Sequence, residues 1–166
     1  KKLVWQIFPA SLLIVLCAIF AVSWYVFSAL ETFYYEESKK DIESRIALIK
    51  PQVFSMLSEN NISQLRNFST TVGRESRTRI TVIDNKGLVL ADSNENPETM
   101  DNHRKRPEIS EAYDGGVGIS LRHSDTLNED LLYVAVPLLK AGQIVEDEKG
   151  KPRGQIIVRM SVPLDA

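Results

Sequence analysis

The sequence predicts an α+β protein: a membrane-spanning helix continues into a long helix and gives way to a five-stranded antiparallel sheet. Three observations carry this reading. Leu3 to Leu30 contains no Asp, Glu, Lys or Arg; an apolar stripe at heptad-like spacing follows; and from Arg77 the apolar pattern switches to a period of two. The boundaries fall at 1–30 for the transmembrane helix, 31–76 for the juxtamembrane and N-terminal helices, and 77–166 for the sheet domain.

As a helix, the charge-free run would extend roughly 42 Å, against a hydrocarbon core of about 30 Å. Lys1 and Lys2 precede it and Glu31, Glu36 and Glu37 follow it, which places the N-terminus in the cytoplasm and the rest outside. Trp5 at one end and Trp24, Tyr25, Tyr34 and Tyr35 at the other fit aromatic belts. A cleaved signal peptide has the same basic start, and Ala21-Val22-Ser23 is a weak cleavage site. Its apolar region is ordinarily only about 7–15 residues long, however, so an anchor is the better reading. Cys17, the only cysteine, lies mid-span as apolar filler, leaving the outer part without a disulfide.

Residues 31–166 hold 18 basic and 22 acidic side chains, a net charge of −4. There is no basic stripe and no aromatic-interleaved Lys/Arg patch, which argues against a nucleic-acid partner. The chain begins without Met and stops directly after a strand-like run; it is expected to be a piece of something longer, with a second span soon after Ala166.

Residues 31–59 read as a helix in which Ile42, Ile46, Ile49, Val53 and Met56 step by four and three. The stripe fits a homodimer seam or packing on its own domain, and the two are compatible. Pro51 should kink or restart the helix near Lys50. Asn61 is placed to cap a second helix bearing Ile62, Leu65, Phe68 and Val72, ending near Gly73.

Arg79 to Asp84 reads as a strand, Asn85-Lys86-Gly87 as a turn and Leu88 to Asp92 as its return. Residues 93–106 form a polar loop, and Pro107 opens a short helix closed by Gly115-Gly116. Strands follow at 117–124, 131–139 and 155–162. In the last, Ile156, Val158, Met160 and Val162 form a buried face; Ile157, Arg159 and Ser161 form a wetter one. Helices are expected on one face of the sheet. The charged stretch 140–154 reads as a surface excursion, with Glu146-Asp147-Glu148 at its solvated tip.

The motif series Ile80-Thr81-Val82-Ile83-Asp84-x-x-Gly87, Leu90-Ala91-Asp92-Ser93 and Met100-x-Asn102-His103-x-x-Arg106-Pro107-Glu108-Ile109 continues down the chain. Arg122-x-Ser124-x-Thr126-Leu127, Leu132 to Leu138 and Val158-Arg159-x-Ser161-Val162-Pro163-Leu164 complete it. As an ordered set it resembles the extracytoplasmic sensor region of transmembrane sensor histidine kinases of the phosphate-regulon (PhoR-like) type. The resemblance implies a PAS-like or single Cache-like domain between two spans of a bacterial inner-membrane homodimer. It also implies a downstream kinase core, which would supply ATP and Mg chemistry and address a response regulator. The insertion at 140–154 departs from that pattern.

No phosphoacceptor His in a His-Glu-x-x-x-Pro context, ATP lid, P-loop, dinucleotide fingerprint or zinc-ligand spacing occurs in these residues. This fragment is therefore read as non-enzymatic and without a cofactor or metal of its own. A ligand site would lie between the sheet, the polar loop and the short helix. There His103, Arg104, Arg106, Arg122 and His123 could present positive charge to a small anion, with Ser124 and Tyr133 as hydrogen-bond partners. The simpler alternative has Asp92, Arg106 and Glu108 pinning the loop and Arg122 lying on an exposed strand face; a cell-envelope partner is a third. The same domain could also serve a chemoreceptor or a cyclic-nucleotide enzyme, or act as a tethered binding module without signalling output.

Overall fold

The computed structural model describes residues 2–124, 129–138 and 154–163, so most of the 140–154 excursion lies outside the described residues. The chain divides into two compact units, 1–40 and 41–166. One helix, α1 (Lys2–Ser58), supplies the first unit and opens the second. Within residues 11–30 every side chain is exposed, including Leu13, Phe20, Trp24 and Phe27. A helix apolar all round in this way is long and apolar enough to cross a membrane.

The expected restart at Pro51 does not occur, and α1 runs unbroken through it. Pro51 is exposed, while Ile49 and Val53 on either side of it are buried. Packing of that face outweighs one missing backbone donor. Ile42, Ile46, Ile49 and Val53 are 0–9 % exposed within a single chain, and Leu57 completes the stripe where Met56 was expected. These four side chains are covered within the chain's own domain, one of the two compatible roles expected of the stripe. Two polar anchors accompany it. Lys50 Nζ donates to the Pro137 carbonyl at 2.6 Å, and Arg45 Nη1 donates to the Ser76 carbonyl at 3.3 Å.

Helix α2 (Ile62–Ser76) is capped by Asn61, whose side-chain oxygen accepts from the Gln64 N–H at 3.0 Å. It runs past Gly73 to end at Arg77, whose left-handed backbone (φ 52°) closes the last turn. Gly73 is interior instead of terminal. A Cβ there would collide with Ser93, so the glycine permits close approach of the helix to the sheet edge.

The strands are β1 (Arg79–Ile83), β2 (Val89–Asp92), β3 (Gly118–Ser124), β4 (Glu129–Pro137) and β5 (Ile157–Pro163), all antiparallel, in spatial order β2-β1-β5-β4-β3. β5 is therefore the central strand, and its two faces are both buried. Ile157, Arg159 and Ser161 are 0–3 % exposed, which corrects the wetter face expected for them. Helices also cover both sides, not one. Helix α3 (Pro107–Tyr113) packs Ile109 and Ala112 on Ile83, Ala135 and Ile157. The opposite face carries Ile80, Val82, Leu132, Val134, Val158 and Met160, all within 2 % of full burial. α2 packs there on β1 and β2, beside the buried stripe of residues 42–57.

Candidate functional site

Register brings Arg79 and Thr81 of β1, Arg159 and Ser161 of β5, Leu131 and Tyr133 of β4, and Ser120 and Arg122 of β3 onto the α3 side of the sheet. α3 covers only one end of this face. Beyond its N-terminus the strands and the loop after β2 enclose a cleft of about 360 Å³, open to solvent.

Two buried carboxylates organise its walls. Asp92, 4 % exposed, accepts from Arg79 Nε at 3.1 Å and from the Thr81 hydroxyl at 2.8 Å. Its Oδ1 also accepts the N–H groups of Asn94 and Glu95 at 2.9 and 3.0 Å, which ties the loop start to the sheet. Glu108, fully buried in the first turn of α3, accepts from Arg159 Nη1 at 3.2 Å and Arg122 Nη2 at 3.4 Å. Arg159 Nη2 in turn donates to Thr81 at 3.0 Å. The Tyr133 ring lies 4.4 Å from the Arg122 guanidinium carbon and 5.1 Å from that of Arg159, within cation–π reach of both.

Four guanidinium groups (Arg79, Arg106, Arg122, Arg159) thus gather around two buried carboxylates, Asp92 and Glu108. Glu95 and Asp101, also at the cleft, are exposed at its rim. Arg159 is held near a pKa of about 10 by burial, with Glu108 opposing the shift, and stays charged at neutral pH. Arg106 is pushed down first by burial and then by Arg122, and it makes no ion pair among the described residues. It is the cation of the cleft without a carboxylate of its own.

His103 is 1 % exposed, and its Nδ1 lies 2.7 Å from the Asp101 carbonyl oxygen. A carbonyl only accepts, so Nδ1 carries the proton and Nε2 presents a bare lone pair. That Nε2, the Glu108 Oε2 and the Arg122 Nε are buried without a hydrogen-bond partner among the described residues. Each is an expensive omission in a protein interior, and two of them, an acceptor on His103 and a donor on Arg122, belong to residues that line the cleft.

Burial, then Arg159 and Arg106, hold the His103 pKa at about 4 against 6.5 in an unfolded chain. Between those values the unfolded chain binds a proton that the folded chain refuses. Stability is therefore full above pH 6.5 and falls as the pH drops towards 4, by up to about 3 kcal/mol. Denaturant midpoints of the full chain at pH 7.5 and 4.5 are expected to show this loss, and His103→Gln, which cannot take up that proton, is expected to show a smaller pH slope.

Of the residues singled out from sequence, His103, Arg106, Arg122, His123 and Tyr133 line the cleft. His123 sits at the rim, half-exposed, with Nδ1 3.0 Å from Asp130. Arg104 points elsewhere: it donates to the Asn85 carbonyl and stacks 4.2 Å from the Tyr113 ring centroid. The Ser124 side chain lies outside the described residues. Asp92 and Glu108 do pin structure through ion pairs, but to Arg79, Arg122 and Arg159 and not to Arg106. Arg79 and Arg159 were missed as cleft residues. The signal for Arg159 was present in Ile156-Ile157-Val158-Arg159-Met160, where one charge inside an apolar strand requires a buried partner.

A five-stranded antiparallel sheet with a leading helix and a cleft over one face is the fold of Cache/PAS-like sensor domains. Solved structures agree. The ligand-binding domain of the Campylobacter jejuni chemoreceptor Tlp3, in complex with 4-methylisoleucine, matches at a TM-score of 0.54 and 13% identity, covering 78% of this chain and 53% of that one. A domain of a sensory box/GGDEF family protein from Vibrio parahaemolyticus matches at 0.51 and 14% identity, over 76% and 54%. The sensor domain of the V. cholerae histidine kinase DctB follows at 0.48 and 17% identity, over 81% and 57%. This chain spans little more than half the length of each. No protein-family model matches the sequence, and no curated protein does.

Proposed function

We propose that this chain is the membrane-anchored, extracytoplasmic sensing region of a bacterial signalling receptor, and that its cleft takes a small organic anion. The observation that carries the reading is Arg106, which makes no ion pair among the described residues, beside the Nε2 of His103, which has no hydrogen-bond partner among them. A carboxylate or phosphate would meet Arg106 and Arg122, and a donor group on the same ligand would meet His103 Nε2. The Tlp3 domain, alike in fold, is in complex with 4-methylisoleucine, and an amino acid carries both kinds of group.

The finer reading is a two-component sensor histidine kinase, in keeping with the motif series around Asp92, Arg106 and Arg159. In it the apolar helix anchors the domain in the inner membrane, and ligand binding shifts the receptor between two arrangements. Such a shift can be no larger than the ligand's difference in affinity for the two.

A thermal-shift screen of the full chain in detergent tests the site, using amino acids, two- to four-carbon carboxylates, and inorganic phosphate. A ligand of the folded form is expected to raise Tm in a concentration-dependent way, and Arg106→Gln is expected to cut its affinity at least about tenfold. An unresponsive Tm throughout, or an unchanged response in Arg106→Gln, would dispose of the proposal.

A further inference from the structure

A second and larger cleft, about 470 Å³, opens where the C-terminal end of α2 meets the start of β1, the start of β4 and the end of β5. Its charged side is built from Arg74, Arg77 and Arg79, with Thr70 beside them, and Leu131 and Pro163 give it an apolar wall. Arg79 lines both clefts; its Nε is committed to Asp92, and it is only 12 % exposed. Arg74 and Arg77 are exposed and make no ion pair among the described residues.

Arg77 adds an independent observation. It occupies a left-handed backbone position at the helix end (φ 52°, ψ 36°), where glycine or asparagine is the favoured choice. A long cationic side chain is thus held over the cleft on backbone that ordinarily selects against it, and sparsely populated backbone tends to mark functional positions.

We infer that this cleft is a second anion site, for a carboxylate or phosphate that carries an apolar substituent. The arginines would take the charge and the Leu131–Pro163 wall the apolar part. The inference does not depend on the first cleft holding a ligand. Its chemistry is shared by a free amphiphilic metabolite and by the headgroup region of an anionic lipid.

The test is calorimetric titration of the full chain, in nanodiscs of zwitterionic lipid, with butyl phosphate and with inorganic phosphate. Butyl phosphate is expected to bind, with inorganic phosphate about tenfold weaker because it has nothing to place on the apolar wall. The double variant Arg74→Gln/Arg77→Gly is expected to lose at least about tenfold in butyl phosphate affinity. Glycine suits the left-handed position, so this variant keeps the fold. Arg106→Gln, which disables the first cleft, is expected to leave the affinity within about twofold, which separates this site from the other. Adding anionic lipid to the nanodiscs distinguishes the sources, since a headgroup occupant would compete with butyl phosphate and a free metabolite would not be displaced. Failure of butyl phosphate to bind the wild type, or equal affinity in the Arg74/Arg77 variant, would overturn the inference.

Discussion

Glu108→Ala is expected to destabilise the folded domain by about 3–5 kcal/mol, the usual consequence of stripping the partner from a buried charge. Glu108 is fully buried and its Oε1 serves both Arg159, 2 % exposed, and Arg122. Without it Arg159 keeps, among the described residues, Thr81 and the Tyr133 ring as partners, and the Arg159 and Arg122 guanidinium groups lose the carboxylate they share. Much of the loss comes from the charge left behind and not from the contact removed. The double variant Glu108→Ala/Arg159→Met should therefore recover about half of it or more. Denaturant unfolding of the full chain in detergent measures both. A Glu108→Ala protein as stable as the wild type would mean that the buried network is not formed.

Gly118→Ala is expected to be the second severe lesion, of the same order, and it acts on the site through backbone. A Cβ on Gly118 would lie well inside contact distance of the Glu108 carbonyl oxygen and within 2.6 Å of its carbonyl carbon. Neither is the tip of a flexible side chain, so β3 and the start of α3 would have to separate. Overpacking of a tight core costs about 1–3 kcal/mol, and more where backbone must move. The separation would also withdraw Glu108 from Arg159 and Arg122, so ligand affinity should fall with stability. A Gly118→Ala protein of unchanged stability and affinity would show that α3 is not seated this closely on β3.

These two residues also show where the sequence was readable. Local signals sufficed for Asn61 as a cap, for Gly87 (φ 86°) in the turn after β1, and for Pro107 at the start of α3, because each acts within a few residues of itself. Reading Arg159 as part of a wetter face failed for a non-local reason. The alternation in β5 was seen, but its place between β1 and β4 follows from long-range pairing that no short window encodes. Once β5 is central, both faces are interior, and Arg159 must find Glu108 fifty-one positions away. Five of the seven suspected cleft residues line one cavity because the loop after β2, which carries His103 and Arg106, lies against β3 and β4, which carry Arg122, His123 and Tyr133. Arg104, in the same run, turns to Asn85 and Tyr113 instead, which spacing alone could not show. The stripe at 42–56 was ambiguous for a different reason: the same apolar period serves a partner helix or the chain's own sheet.

At the centre of the proposed function, the Arg106 guanidinium and the Nε2 of His103 receive one ligand. Nitrogen NMR of the full chain in nanodiscs, titrated with whichever anion raises Tm, tests this most directly. The His103 Nε2 and Arg106 side-chain signals are predicted to move together and saturate at one ligand concentration. A rise in Tm with both signals unmoved would place the ligand elsewhere and contradict the account.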